Sequence, residues 1–216
     1  MKRVWIALIA ITLYNSVSAQ NTEPEPLRID FKNRGYFYAA SPPLASTSGF
    51  GGWGGSGNMY QMMENLSGYA SNTVVVSIDV STPARFAEKY KGYTLQLINT
   101  KKDTIFFDVQ DSRLNMKLQA RDTDGKWKDI EYLPSSWCGN SYHMLYLPKG
   151  CYWSFTIPAY DGKIRTFVRA ALAWKTSRDS EEQWIYSNEV PAGINPGQFT
   201  NIPKYNSSGI MDPYDN

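Results

Sequence analysis

With 216 residues, 42% of them hydrophobic, 14% aromatic and 19% charged, the chain has the length of one ordinary domain and is too apolar to be disordered. Lys and Arg number 22 against 20 acidic residues, a faint basic excess that points weakly to an anionic partner. A single His and two Cys thin out zinc sites, which need three or four Cys, His or carboxylate ligands, and classical triads, which need a well-placed His.

The basic excess dissolves at the N-terminus. Lys2 and Arg3 precede an apolar run over residues 4–13, and Ser16, Val17, Ser18 and Ala19 follow. Basic, apolar and small-residue zones in that order predict a secretory signal peptide over residues 1–19, cleaved after Ala19. The apolar run is shorter than the roughly 20 residues a permanent span requires, and no Cys follows Ala19 to carry a lipid anchor. The remaining 197 residues hold 20 basic and 20 acidic side chains. The expected location is therefore the periplasm or the cell exterior. No later segment is apolar enough to span a membrane, and no polybasic arm exists to neutralise nucleic-acid phosphates.

Residues 20–71 open with a strand candidate at 27–31 and continue into a Gly/Ser/Pro-rich stretch, 41–58, whose composition predicts a flexible loop. Gly49, Gly51 and Gly54, and again Gly52, Gly54 and Gly57, match the dinucleotide-binding spacing. Any dense glycine run produces that match, and no parallel βαβ unit surrounds it, so no cofactor is expected. Residues 58–66 predict one short helix, capped by Asn58 or Ser56, with Met59, Met62, Met63 and Leu66 near one face.

From residue 72 the period is two. Val74, Val76, Ile78 and Val80 alternate with Val75, Ser77 and Asp79; Tyr93, Leu95 and Leu97 with Thr94 and Gln96; Leu114, Met116, Leu118 and Ala120 with Asn115, Lys117 and Gln119. Further strands are expected at 104–110, 127–132, 142–147, 152–157, 164–174 and 183–187, separated by turn residues at 99–103, 122–125, 148–150 and 161–162. Strands at this spacing without helical periods between them predict an all-β fold, an antiparallel two-sheet β-sandwich over residues 72–190. Trp153, Phe155 and Ile157, with Val168, Leu172 and Trp174, are expected to fill the space between the sheets. The Pro-, Asn- and Gly-rich residues 191–216 are expected to form a tail.

Within the core, Asp122, Asp124 and Gly125 resemble the start of a calcium loop, but Leu133 stands where the closing Glu would be, and a hairpin turn is the expected reading. Asp108 with Asp111, and Asp129 with Glu131 on one strand face, are the carboxylate pairs nearest to an acid–base arrangement. His143 reads as a hydrogen-bonded structural residue. Cys138 and Cys151 flank a strand and a turn, and in an oxidising compartment they are expected to form a disulfide; a Cys138, Asn140 and His143 nucleophilic site is the weaker alternative. The loop that combines Trp137, Asn140, Ser141 and Tyr142 is the best ligand-binding candidate, since rings stack on sugar faces while amides and hydroxyls hydrogen-bond.

Three stretches resemble uncharacterised exported β-sandwich proteins of Gram-negative bacteria with an immunoglobulin- or fibronectin-like plan: Leu95-Gln-Leu97-Ile-Asn99, Leu147-Pro148-Lys-Gly150 before Tyr152-Trp-Ser-Phe155, and Ile185-Tyr-Ser-Asn-Glu189. The resemblance implies an immunoglobulin-like architecture and brings no site residues. The two Cys lie too close in sequence for the usual inter-sheet bridge. The expected function is a non-catalytic exported protein, with no metal and no catalytic residue, that binds an envelope protein or a glycan through its loops. The alternative is a carbohydrate-active enzyme or its accessory module, with carboxylates and aromatics along a sheet face.

Overall fold

The computed structural model describes residues 23–43, 55–133 and 142–203. The expected leader, most of the glycine-rich loop, and Trp137, Cys138, Asn140 and Ser141 lie outside them. Fourteen strands run in chain order through the described residues: β1 (Asn33–Arg34), β2 (Gln61–Met62), β3 (Val74–Phe86), β4 (Tyr90–Asn99), β5 (Ile105–Gln110), β6 (Arg113–Leu114) and β7 (Met116–Arg121). They continue as β8 (Trp127–Asp129), β9 (Glu131–Tyr132), β10 (Tyr142–Leu147), β11 (Cys151–Pro158), β12 (Ile164–Trp174), β13 (Gln183–Tyr186) and β14 (Val190–Ile194). No α-helix forms among the described residues.

The chain is all-β and sandwich-like, with its main sheets antiparallel. One sheet has the order β2-β11-β4-β3; another runs β13-β12-β7-β8, with β14 pairing the first half of β12. A third, β10-β5-β6, joins the second through the bridge between Phe106 and Lys175. Alternation then dictates the core. Leu95, Leu97, Trp153 and Ile157 of the first sheet and Met116, Leu118, Val168 and Leu172 of the second are all buried in one apolar cluster. Phe107 meets Trp153 edge-on at 5.3 Å, and the Trp153 indole donates to the Ala40 carbonyl at 3.0 Å, which satisfies its one polar atom inside the core.

The inward register expected for Leu114, Met116 and Leu118 is the observed one: none has measurable exposure. Val80 departs from its expected alternation and is exposed. Pairing between β3 and β4 shifts register between Asp79 and Ala84, and the Asp79 carboxylate turns back onto the Ser81 amide and hydroxyl at 2.8 and 2.6 Å. Those bonds hold the Asp79 carboxyl below its ordinary range.

The segment from Glu25 to Ala40 is woven into the sandwich. Leu27 bridges to Tyr160, β1 lies parallel to β9, and Tyr38 bridges to Arg113. The short helix expected at residues 58–66 does not form. Asn58, instead of capping a helix, donates its amide to the Tyr38 and Ser154 carbonyls, both at 3.1 Å, and the chain continues as β2 against Cys151 and Tyr152. Pairing with β11 satisfies backbone groups that a single helical turn would leave open. Met62 is then 80% exposed rather than on a buried face. At the other end, the segment expected to be a tail begins as β14, followed by a 3-10 turn at Pro196–Phe199 whose Gly197 amide donates to Asp30 at 2.7 Å.

Asn188 joins the two layers at their edge. Its side chain accepts from the Ile78 amide at 2.7 Å and donates to the Ile78 carbonyl at 3.0 Å, the contacts a neighbouring strand would make. Asn188→Ala is expected to cost about 1–2 kcal/mol in urea denaturation, because two groups at the edge of β3 lose their partner. An unchanged midpoint would show that water replaces the amide.

Candidate binding face

Of the loop residues expected to bind a ligand, only Tyr142 is described. It opens β10 opposite Gln110 and is 56% exposed, and its neighbour His143 lies 3.3 Å from the Ser112 hydroxyl. Cys151 begins β11 in a buried position, where burial raises its thiol pKa; Cys138 lies outside the described residues, so the expected bridge has no counterpart to compare.

The carboxylates of the two expected pairs are engaged differently. Asp108 is held by the Lys175 ammonium at 2.7 Å, and Asp111 sits in a left-handed turn with φ 49°. Asp129 pairs with Lys117 on the outer side of the sheet, whereas Glu131, two residues on, is sealed inside. Asp129 and Glu131 therefore do not share a face: the ladder breaks at Ile130, which is itself buried and interrupts the alternation. Asp122 accepts the amides of Asp124 and Lys126 at 2.9 and 2.8 Å and pairs with Lys128, so its carboxylate closes the hairpin turn through Gly125.

Glu131 forms the sharpest electrostatic feature of the interior. It is 2% exposed, beneath β1, and its Oε2 accepts the Leu118 amide at 2.8 Å. Burial pushes its pKa up to about 8; the Leu118 amide and Lys117 pull it down, and Asp129 adds to the rise. Asn33, fully buried alongside it in register, donates to the Tyr160 hydroxyl at 3.3 Å while its own Oδ1 has no hydrogen-bond partner among the described residues. An interior with an acceptor to spare favours a protonated, neutral carboxyl. A group this enclosed meets no ligand, and the effect falls on stability. An open cleft of about 740 Å³ lies elsewhere, between Glu23, Pro26, Pro83, Arg85 and Lys91, and its lining contains one carboxylate.

The distinctive surface is the outer face of the sheet β13-β12-β7-β8. Residues alternate there as on any half-buried strand: Lys117, Gln119 and Arg121 on β7, Phe167, Arg169, Ala171 and Ala173 on β12. Cross-strand register adds the rest, since Arg121 pairs with Trp127, Gln119 with both Asp129 and Arg169, Ala171 with Tyr186, and Ala173 with Trp184. The Arg169 guanidinium lies between two rings, 4.2 Å from the Trp127 centroid and 3.8 Å from that of Tyr186. Arg121 lies 5.0 Å from Trp127 and 5.8 Å from Phe167. Planar cations between aromatic faces lock both partners in place.

These rings are not buried by the stacking. Phe167, Trp184 and Tyr186 remain 42%, 49% and 47% exposed, which puts three large rings on one sheet face. Arg169 donates through Nε and Nη2 to the Gln119 carbonyl at 3.1 and 3.0 Å, Gln119 donates to Asp129 at 2.9 Å, and Asp129 pairs with Lys117. Arg121 pairs with Glu189 at 2.9 Å. The face is thus rigid, aromatic and cationic, with hydrogen-bonding groups held between its rings.

No protein-family model matches this chain, and no curated protein matches it in sequence. The face rests on geometry alone. Its signal in the sequence is the solvent-side register of two strands, Lys117-x-Gln119-x-Arg121 and Arg165-x-Phe167-x-Arg169, together with Trp184-x-Tyr186. Among the described residues no three metal-ligating side chains converge, and no helix is long and apolar enough to cross a membrane.

Proposed function

We propose that this protein is an exported, immunoglobulin-like binding module, periplasmic or secreted, that holds its partner on the aromatic–arginine face without transforming it. The observation that carries the reading is the exposure of Phe167, Trp184 and Tyr186 on one sheet face, with Arg169 fixed against Tyr186 and Arg121 against Phe167. Trp, Tyr and Arg are the side chains that dominate recognition energetics, because they offer large contact area at low entropic cost. Preordering by the stack removes part of the cost that binding would otherwise incur. The contact surface moves accordingly from the expected loop to the sheet. The immunoglobulin-like plan is supported by the strand order: β3, β4 and β11 form one sheet, and β8, β7, β12 and the terminal strands the other. Individual engagement of Asp108 and Asp129 by lysines, with Glu131 sealed, favours binding over hydrolysis.

The test is capture by the mature chain, on a glycan array and from an envelope fraction, compared with a Trp184→Ala/Tyr186→Ala double variant whose folding is checked by thermal melting. Wild type is expected to retain a partner that the double variant loses by at least about tenfold, a change of roughly 1.4 kcal/mol. Equal retention by both proteins would remove the face from the account.

A further inference from the structure

Resting on that reading, we infer that the face recognises a carboxylated polysaccharide, a uronate-type chain whose acid group docks on Arg169. The first support is charge. Of the four cations on the face, Lys117 is paired with Asp129, Arg121 with Glu189 and Arg165 with Asp161, but Arg169 forms no ion pair among the described residues. Its Nε and Nη2 are committed to Gln119, while Nη1 bonds to nothing among the described residues and is not sealed from solvent. One positive charge with a free N–H, set between rings, is a receptor for an anionic oxygen. Burial, with Arg121 nearby, lowers the Arg169 pKa in the free protein; Tyr186 and the more distant Glu189, itself paired with Arg121, offset only part of that.

The second support is spacing. The face crosses four strands, and each contributes a recognition side chain: Trp127 on β8, Arg121 on β7 and Phe167 on β12 lie at one register level, with Arg169 two residues along β12 and Tyr186 on β13 level with Ala171. Adjacent strands lie about 4.8 Å apart. That step is close to the length of one pyranose unit, so an extended glycan laid across the strands passes Trp127, Arg121 and Phe167 on successive strands, with Arg169 beside its path. An extended peptide rises about 3.3 Å per residue and turns alternate side chains away, which fits the row less well. Trp184, exposed beside Ala173 and without a stacked cation among the described residues, offers an open ring face at one end of the row.

The experiment is affinity electrophoresis and calorimetry of the mature protein with polygalacturonate, its methyl-esterified form, a neutral soluble β-glucan, and poly-glutamate. Polygalacturonate is expected to bind, to weaken with added salt, and to lose at least about tenfold in affinity on Arg169→Gln and less on Arg169→Lys, which keeps the charge without the planar fork. The esterified polymer and the β-glucan are expected to bind at least about tenfold more weakly. Comparable binding of the neutral polymers, or an Arg169→Gln variant that melts like wild type and binds polygalacturonate unchanged, overturns the carboxylate assignment. Equal or tighter binding of poly-glutamate overturns the glycan and points to an acidic protein. Absence of binding to every polysaccharide also overturns it. The binding face itself fails only if the Trp184→Ala/Tyr186→Ala variant retains whatever partner the wild type captures.

Discussion

Met116→Asp is expected to abolish cooperative unfolding and leave the chain unfolded at room temperature. Met116 has no measurable exposure, is paired to Leu172, and sits in the cluster between the layers with Leu118 and Ala120. Its surroundings are that apolar cluster, so a carboxylate there is buried without a partner, at several kcal/mol. Small-domain stabilities are only about 5–15 kcal/mol in total. Met116→Leu, close in volume and apolar, should cost less than about 1.5 kcal/mol, which separates charge from shape. Far- and near-ultraviolet circular dichroism with urea titration checks both variants. A folded Met116→Asp protein with an unchanged melting temperature would contradict the register of β7.

The second large effect is a loss of stability with rising pH. Glu131 is displaced upward, from the ordinary 4.5 to about 8, so the folded state keeps its proton where the unfolded chain has released it. More protons bound in the folded state make the slope of stability against pH negative across that window. Stability is fully present below about pH 4.5 and declines until about pH 8, beyond which this group contributes no further change. At about 1.4 kcal/mol for each pH unit, the loss reaches several kcal/mol. Glu131→Gln keeps an acceptor for the Leu118 amide and removes the ionisation. It should flatten this part of the profile and be more stable than wild type at pH 8. Urea midpoints measured from pH 4.5 to 9 provide the check, and parallel profiles for the two proteins would contradict a buried neutral Glu131.

The interior was legible in the sequence because a period of two maps directly onto the two faces of a strand. Leu114, Met116 and Leu118, and Trp153, Phe155 and Ile157, are buried as their alternation requires. Where the ladder is interrupted the inference lapses. Val80 follows a register shift, and Glu131 follows the break at Ile130, and no local pattern announces either. The spacing of Met59, Met62, Met63 and Leu66 suits a helix, but long-range bonds from Asn58 and pairing of β2 with β11 outweigh so short a propensity. The proposed binding face is hidden in the sequence for a related reason. Its residues are visible singly, yet Gln119 meets Arg169 from 50 positions away, and only strand pairing places Trp127 and Tyr186 on either side of that arginine. The loop with Trp137, Asn140, Ser141 and Tyr142 is conspicuous in the sequence because loops advertise themselves by composition, whereas a sheet face requires knowledge of neighbours.

The proposed recognition on the sheet, rather than at a loop, is tested most directly by hydroxyl-radical footprinting of the purified protein with and without its captured partner. Oxidation reports the exposure of each aromatic and sulfur side chain separately, and the relevant rings are all accessible in the free protein. Bound partner is expected to protect Phe167, Trp184 and Tyr186 while leaving Tyr142 and Met62 as reactive as before. Protection of Tyr142 with no change at the three face residues would contradict the account and return recognition to the loop.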